Sequence, residues 1–123
     1  MNSRELDQVA EQLFGAFVAH DFNLVASLLA PDATLSQNGS GGSFALARPM
    51  LERMRSIIGD HHYEDVRRVT GDYAVIEEHR VVATTPAGLS LNLAACVVVR
   101  VNDVGLISSI DEYVDLSTLK KES

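Results

Sequence analysis

One stretch of the chain concentrates residue types able to move protons. Glu77-Glu78-His79-Arg80 stands between the apolar runs Tyr73-Ala74-Val75-Ile76 and Val81-Val82-Ala83. Read as a β-strand, it divides into Tyr73, Val75, Glu77, His79 and Val81 on one face and Ala74, Ile76, Glu78, Arg80 and Val82 on the other. Each face carries two ionisable groups among apolar neighbours, and the pattern alone leaves open which face is inward. A later strand repeats the situation, with Ile110, Glu112 and Val114 on one face and Ile107, Ser109, Asp111 and Tyr113 on the other. Charges lodged among apolar side chains cost free energy unless they are paired. Two readings follow: an inter-strand salt bridge such as Arg80 with Glu112, or an acid–base site.

Other reactive residue types carry less. His61 and His62 are adjacent and point to opposite faces of a strand, which makes a poor metal pair. No spacing among the four histidines resembles a metal site, and His20, just before a helix cap, reads as a solvated surface residue. Cys96 is the single cysteine; inside the apolar run Leu93 to Val99 it reads as an inert buried thiol. Tyr63, Tyr73 and Tyr113 read as half-buried packing residues. Asn38-Gly39-Ser40-Gly41-Gly42-Ser43 is a flexible surface connection rather than a lid, and with no lysine after it, it is no phosphate loop.

Composition removes whole function classes. Asp and Glu outnumber Lys and Arg 17 to 10 for a formal charge of −7, the wrong sign for a nucleic-acid or anionic-membrane footprint. No apolar run approaches the roughly 20 residues of a membrane span, and the polar start Met1-Asn2-Ser3-Arg4-Glu5 lacks a signal peptide's apolar core, so a cytoplasmic protein is expected. With 123 residues, 46% of them hydrophobic, the chain fits one domain, 1–123, with a core that needs neither disulfide nor metal.

The elements that must position these residues follow from periodicity. Leu6, Val9, Leu13, Phe14 and Phe17 share one face of a helix that Ser3 can cap, and Asp21 caps a second helix presenting Leu24, Val25, Leu28 and Leu29 and stopped by Pro31-Asp32. A strand over Ala33–Gln37 precedes a third helix, roughly Phe44–Ile58, with Leu46, Met50, Leu51, Met54 and Ile57 along one side, Pro49 in or at its start and Gly59 at its end. The period then becomes two, giving strands over Tyr63–Val69, Tyr73–Thr84, Leu89–Val101 and Ile107–Val114. Helices first and antiparallel strands after is an α+β order, with the helices on one sheet face. Ala94, Cys96 and Val98 make the other face of the third long strand apolar too, which predicts a homodimer through the outer sheet face.

The order of elements, the segment Phe17-Val18-Ala19-His20-Asp21 followed by Leu28-Leu29-Ala30-Pro31-Asp32-Ala33-Thr34, and the ending Ile110-Asp111-Glu112-Tyr113-Val114-Asp115 resemble the SnoaL-like branch of the nuclear transport factor 2 superfamily. The resemblance spans almost the whole chain. It implies a cone: a strongly curved antiparallel sheet wrapped around helices, with an apolar pocket at one end, in a superfamily where dimers are common. The fold hosts isomerases, cyclases, hydrolases and non-catalytic subunits, so residues must decide.

The ketosteroid isomerase set, an aspartate base with tyrosine and aspartic acid donors, lines up with Gln37, Leu13 and Val97, which lack the required groups. The limonene-epoxide hydrolase branch is more similar. Glu77-Glu78-His79-Arg80 resembles its second-strand segment, Pro86-Ala87-Gly88 its turn, and Asn92-Leu93 follows at the same interval. Glu112 matches that branch's base and Asn38 its asparagine; Ser36 stands at its tyrosine, and its arginine and acid appear exchanged, as Glu78 and Arg80. The resemblance implies that Glu78, Arg80, Glu112 and Asn38 are catalytic on the pocket side, with Ser36, Phe14, Phe17, Met50, Met54, Leu93, Val97 and Ile110 lining the pocket and His79 facing away. It further implies a cofactor- and metal-independent acid–base enzyme for a small apolar oxygenated molecule, epoxide hydration being the most concrete version. A polyketide cyclase or ketosteroid isomerase-like reaction, or a non-catalytic ligand-binding or dimerising domain, is the alternative.

Overall fold

Helix α1 (Ser3–Val18) forms because Leu6, Ala10, Leu13 and Phe14 recur on one face and bury there together with Ala16. Its cap is Asn2 rather than Ser3: the Asn2 side chain accepts from Glu5 N–H while Glu5 reaches back to the Asn2 N–H. Asp21 caps α2 (Phe22–Leu28) as expected. The computed structural model describes residues 1–120, so the last three positions of the expected 1–123 domain lie outside the described residues.

Six strands form one open, curved sheet: β1 (Leu29–Gln37), β2 (Ser40–Ser43), β3 (His61–Thr70), β4 (Ala74–Thr84), β5 (Ser90–Val101) and β6 (Ile107–Val114). Helix α3 (Phe44–Ile58) separates β2 from β3, and a short α4 (Ser117–Lys120) follows β6. The strand order is β2-β1-β6-β5-β4-β3, antiparallel except for the parallel pair β1 and β6. That exception departs from the all-antiparallel expectation, since β1 finds its neighbour in the last strand of the chain rather than in the next. None of the described helices is long and apolar enough to cross a membrane.

The Asn38–Ser43 segment, expected to be flexible, is a β-hairpin. Asn38 and Gly39 take φ of 50° and 87°, the left-handed pair of a tight type I′ turn. Gly41 is obligatory there, because a Cβ would lie 1.9 Å from the Leu35 carbonyl oxygen.

The sheet's inner face carries Val75, Val97, Val99, Ile107 and Ile110 into one core with Leu6, Leu13, Phe14, Phe22 and Val25. A second, smaller apolar cluster joins Leu93, Ala95 and Val114. Helix α3 turns Phe44 and Leu51 toward the main core and leaves Leu46, Met50, Met54 and Ile57 outside. Ser43 caps it at Phe44, so Pro49 sits inside the helix and does not begin it.

Register places Arg68, Glu77, Val97, Glu112 and Gln37 in line across β3, β4, β5, β6 and β1. A bulge makes this row possible. Pairing of β3 with β4 shifts between Glu64 and Arg67, where Asp65 has φ 55°. Tyr63 opposes Val81 before the bulge and Arg68 opposes Glu77 after it, so an odd and an even position of β3 share the inner face.

Candidate acid–base site

The row's polar members lie between the two apolar clusters, and Glu77 is its hub. Its side chain is 1% exposed, as is that of His79. Arg68 Nε–H donates to Glu77 Oε1 at 2.6 Å, and His79 Nδ1 lies 2.6 Å from Glu77 Oε2. A carboxylate beside a guanidinium only accepts, so the Nδ1 proton is on His79. Arg68 Nη1 also donates to Glu11 Oε1 at 2.7 Å. Burial works against the Arg68 charge, but the hydrogen bonds to Glu77 and Glu11 outweigh it and hold the guanidinium above its ordinary pKa.

Aromatic rings lock the imidazole. Tyr63 stacks on His79 at 4.0 Å between centroids and 18° between planes, and Phe14 meets both rings edge-on at 5.3 and 5.7 Å. With Nδ1 committed to Glu77, His79 Nε2 is left buried and without a hydrogen-bond partner among the described residues. A buried polar atom with no protein partner calls for an explanation, and a reacting group is one.

Tyr63 Oη lies 3.2 Å from His61 Nε2. Burial, then the charges of Glu112 and Glu77, push the phenol well above its usual pKa of 10.0, so it remains protonated. Burial also holds His61 below its usual 6.5; His20, His79 and His62 reinforce this and Asp60 opposes it. Across Val97, Glu112 is half-buried on the same inner face, its Oε1 accepting from Gln37 Nε2 at 2.8 Å. Two strand spacings put the Glu77 and Glu112 backbones about 10 Å apart.

The structure brings only part of the expected set together. Glu112 faces inward with Phe14, Leu93, Val97 and Ile110, and Phe17 packs on the core. Glu78 and Arg80 do not: parity puts them on the outer face, where Glu78 is 62% exposed and 3.9 Å from Arg67, and Arg80 donates to Asn92. Ser36 is also on the outer face, donating to Asp111, which pairs with Arg100. The Asn38 side chain clamps the Val114 backbone, donating to the carbonyl at 3.1 Å and accepting from the N–H at 3.0 Å. Met50 and Met54 are 63% and 41% exposed rather than lining a pocket, because the helical turn that buries Phe44 and Leu51 carries them outward.

His79, expected to face away, is the innermost imidazole. His20, expected in solvent, has a side chain only 7% exposed, packed on Phe22 and His61 with Nε2 3.4 Å from Asp60. Cys96 is half-buried on the outer face. Among the described residues, no group of three or more His, Cys, Asp or Glu is placed to hold a metal ion.

Known structures share this arrangement of elements. The candidate hydroxylase AclR of Streptomyces galilaeus superposes with a TM-score of 0.85 over 98% of this chain and 82% of its own, at 16% identity. A candidate SnoaL-like polyketide cyclase of Shewanella denitrificans OS-217 reaches 0.85 at 10% identity, covering 98% and 96% of the two chains. A candidate polyketide cyclase of Xanthomonas campestris pv. campestris reaches 0.78 at 23% identity, covering 97% and 96%. Among curated proteins none matches the sequence. The SnoaL-like domain profile matches residues 10–110, and the chain therefore belongs to the SnoaL-like family of the nuclear transport factor 2-like fold.

Proposed function

We propose that the protein is an acid–base enzyme for a small, largely apolar carbonyl compound, with His79 as the proton-transfer residue. The observation that carries this is the buried His79 Nε2, unpartnered while Nδ1 is fixed on an ion-paired carboxylate. In that geometry Nε2 takes a proton from the carbon beside a carbonyl, and the electron pair moves onto the carbonyl oxygen as an enolate. Glu77 stabilises the imidazolium through Nδ1–H, and Arg68, sharing the same carboxylate, opposes transfer of that proton to Glu77. Returning the proton to the same carbon gives exchange, returning it elsewhere gives isomerisation, and attack of the enolate carbon on a second carbonyl gives ring closure, with the imidazolium proton passing to the new alkoxide. Glu112, across the small side chains of Val97 and Ala95, is the second proton-transfer group.

Epoxide hydration is the less favoured version, because its acid and arginine would be Glu78 and Arg80 on the outer face. The cyclase- or isomerase-like version needs neither residue. The names of the Shewanella and Xanthomonas relatives agree with it at the level of fold. A second copy on the outer face, against Ile76, Ala94, Cys96, Val98 and Tyr113, is part of this reading, and sedimentation equilibrium tests it.

The experiment is a panel of cyclic ketones and epoxides in deuterated buffer, followed by proton NMR. The reading expects enzyme-dependent loss of the α-proton signal from ketones, and persistence of that signal with a folded His79→Gln variant. Hydration of epoxides without ketone exchange would favour the hydrolase version. Binding with no conversion of either class would leave a ligand-binding domain.

A further inference from the structure

Glu77 separates two environments. Its Oε2 faces His79 in the interior, and its Oε1 faces Arg68 at the base of a cleft of about 360 Å³ that opens between α1 and the β3 bulge. One wall is the α1 face carrying Glu11, Gly15 and Val18; the other is Tyr63, Val66 and Arg68.

Gly15 is part of the α1 wall of this cleft. It lies in the middle of α1, where glycine is a poor helix former, and a Cβ there would meet nothing within 4 Å. Close packing therefore does not require glycine. What its missing side chain does is keep the wall open opposite Val66, the residue that the bulge leaves 44% exposed.

The lining specifies a ligand class. Phe14, Val18, Tyr63 and Val66 offer apolar and aromatic surface for a flat body. At the polar end, Arg68 gives Nε to Glu77 and Nη1 to Glu11, while Nη2 makes no hydrogen bond among the described residues. That donor is available to an acceptor oxygen of a bound molecule. Two carboxylates around one guanidinium disfavour a negatively charged one.

We propose that the cleft between α1 and the β3 bulge is a small-molecule site for a neutral, flat, apolar compound carrying a carbonyl or ether oxygen, which accepts from Arg68. The cleft shares Phe14, Tyr63, Arg68 and Glu77 with the acid–base site, but binding there does not require proton transfer.

Indanone is the probe, titrated into the full chain by two-dimensional amide NMR. Shifts should concentrate on Gly15, Val18, Val66 and Arg68, and naphthoate, similar in shape but anionic, should bind more weakly. Gly15→Leu fills the cleft from the helix side with a better helix former, so its fold should survive, and affinity should fall about tenfold or more. Val66→Phe fills it from the other wall and serves if the first variant fails to fold. Arg80→Gln, on the outer sheet face, should leave binding intact. Unchanged affinity in a folded cleft-filling variant, or no shifts at these residues at millimolar indanone, would overturn the proposal.

Discussion

The two faces of β4 hold nearly the same chemistry one residue out of step. Glu77 and His79 point inward, Glu78 and Arg80 outward, and each face also draws an arginine from β3. The inner carboxylate is bonded twice at 2.6 Å; the outer one has a single arginine nitrogen at 3.9 Å. Exposed ion pairs contribute about 0–1 kcal/mol, whereas removing one partner of a buried pair costs about 3–5. Residue type does not distinguish the faces. What stands over each of them does.

Breaking the inner side should have the largest effect. Glu77→Ala leaves Arg68 Nε and His79 Nδ1 without their acceptor and should cost about 3 kcal/mol or more by urea unfolding. The matched Glu78→Ala should stay within about 0.5. A stability loss at residue 78 equal to that at residue 77 would erase the distinction.

Next in size is the Asn38 clamp. Asn38→Ala removes both bonds to the Val114 backbone from a residue at φ 50° and should cost about 1–3 kcal/mol. A fall in turnover with stability unchanged would instead return Asn38 to the chemistry.

Proton linkage sharpens the comparison. The folded-state pKa of His61 is lowered, so its stability contribution is present above 6.5 and is lost as pH falls through the folded value, where the unfolded chain binds the extra proton. His61→Asn should therefore flatten the acid limb of a stability profile. Tyr63 has the opposite sign: its pKa is raised, so its contribution is full below pH 10.0 and is lost at higher pH. Stability in Tyr63→Phe should therefore depend less on pH above 10.0, as read by urea midpoints. His62, exposed beside Glu64, should matter least, and His62→Gln should change the urea midpoint of unfolding by less than any variant above.

The strands and helices were legible because periodicity is local. Each long strand and helix lies within a few residues of its expected span, and Asp21 caps α2 as read. The site was half legible. Glu112 sits on a strand whose inner face Ile110 and Val114 declare, whereas β4 has aliphatic side chains on both faces (Val75 and Val81, Ile76 and Val82), so alternation alone could not choose. The turn at Pro86-Ala87-Gly88 held the missing information: it pairs Glu77 and His79 with Val97 and Ala95, on the same face as Leu91 and Leu93. The β3 bulge had no such signal. An extra residue at Asp65 reverses simple alternation, which would put Arg67 rather than Arg68 on the Tyr63 face, and that reversal follows from tertiary pairing with β4.

The central claim is that the inner pair, not the outer one, moves protons. The most direct measurement is deuterium exchange at the α-carbon of a ketone substrate, with His79→Gln compared against Arg80→Gln in otherwise identical folded protein. The account predicts that His79→Gln loses about 10²-fold or more and Arg80→Gln stays within about twofold. Exchange that survives in His79→Gln and collapses in Arg80→Gln would contradict it.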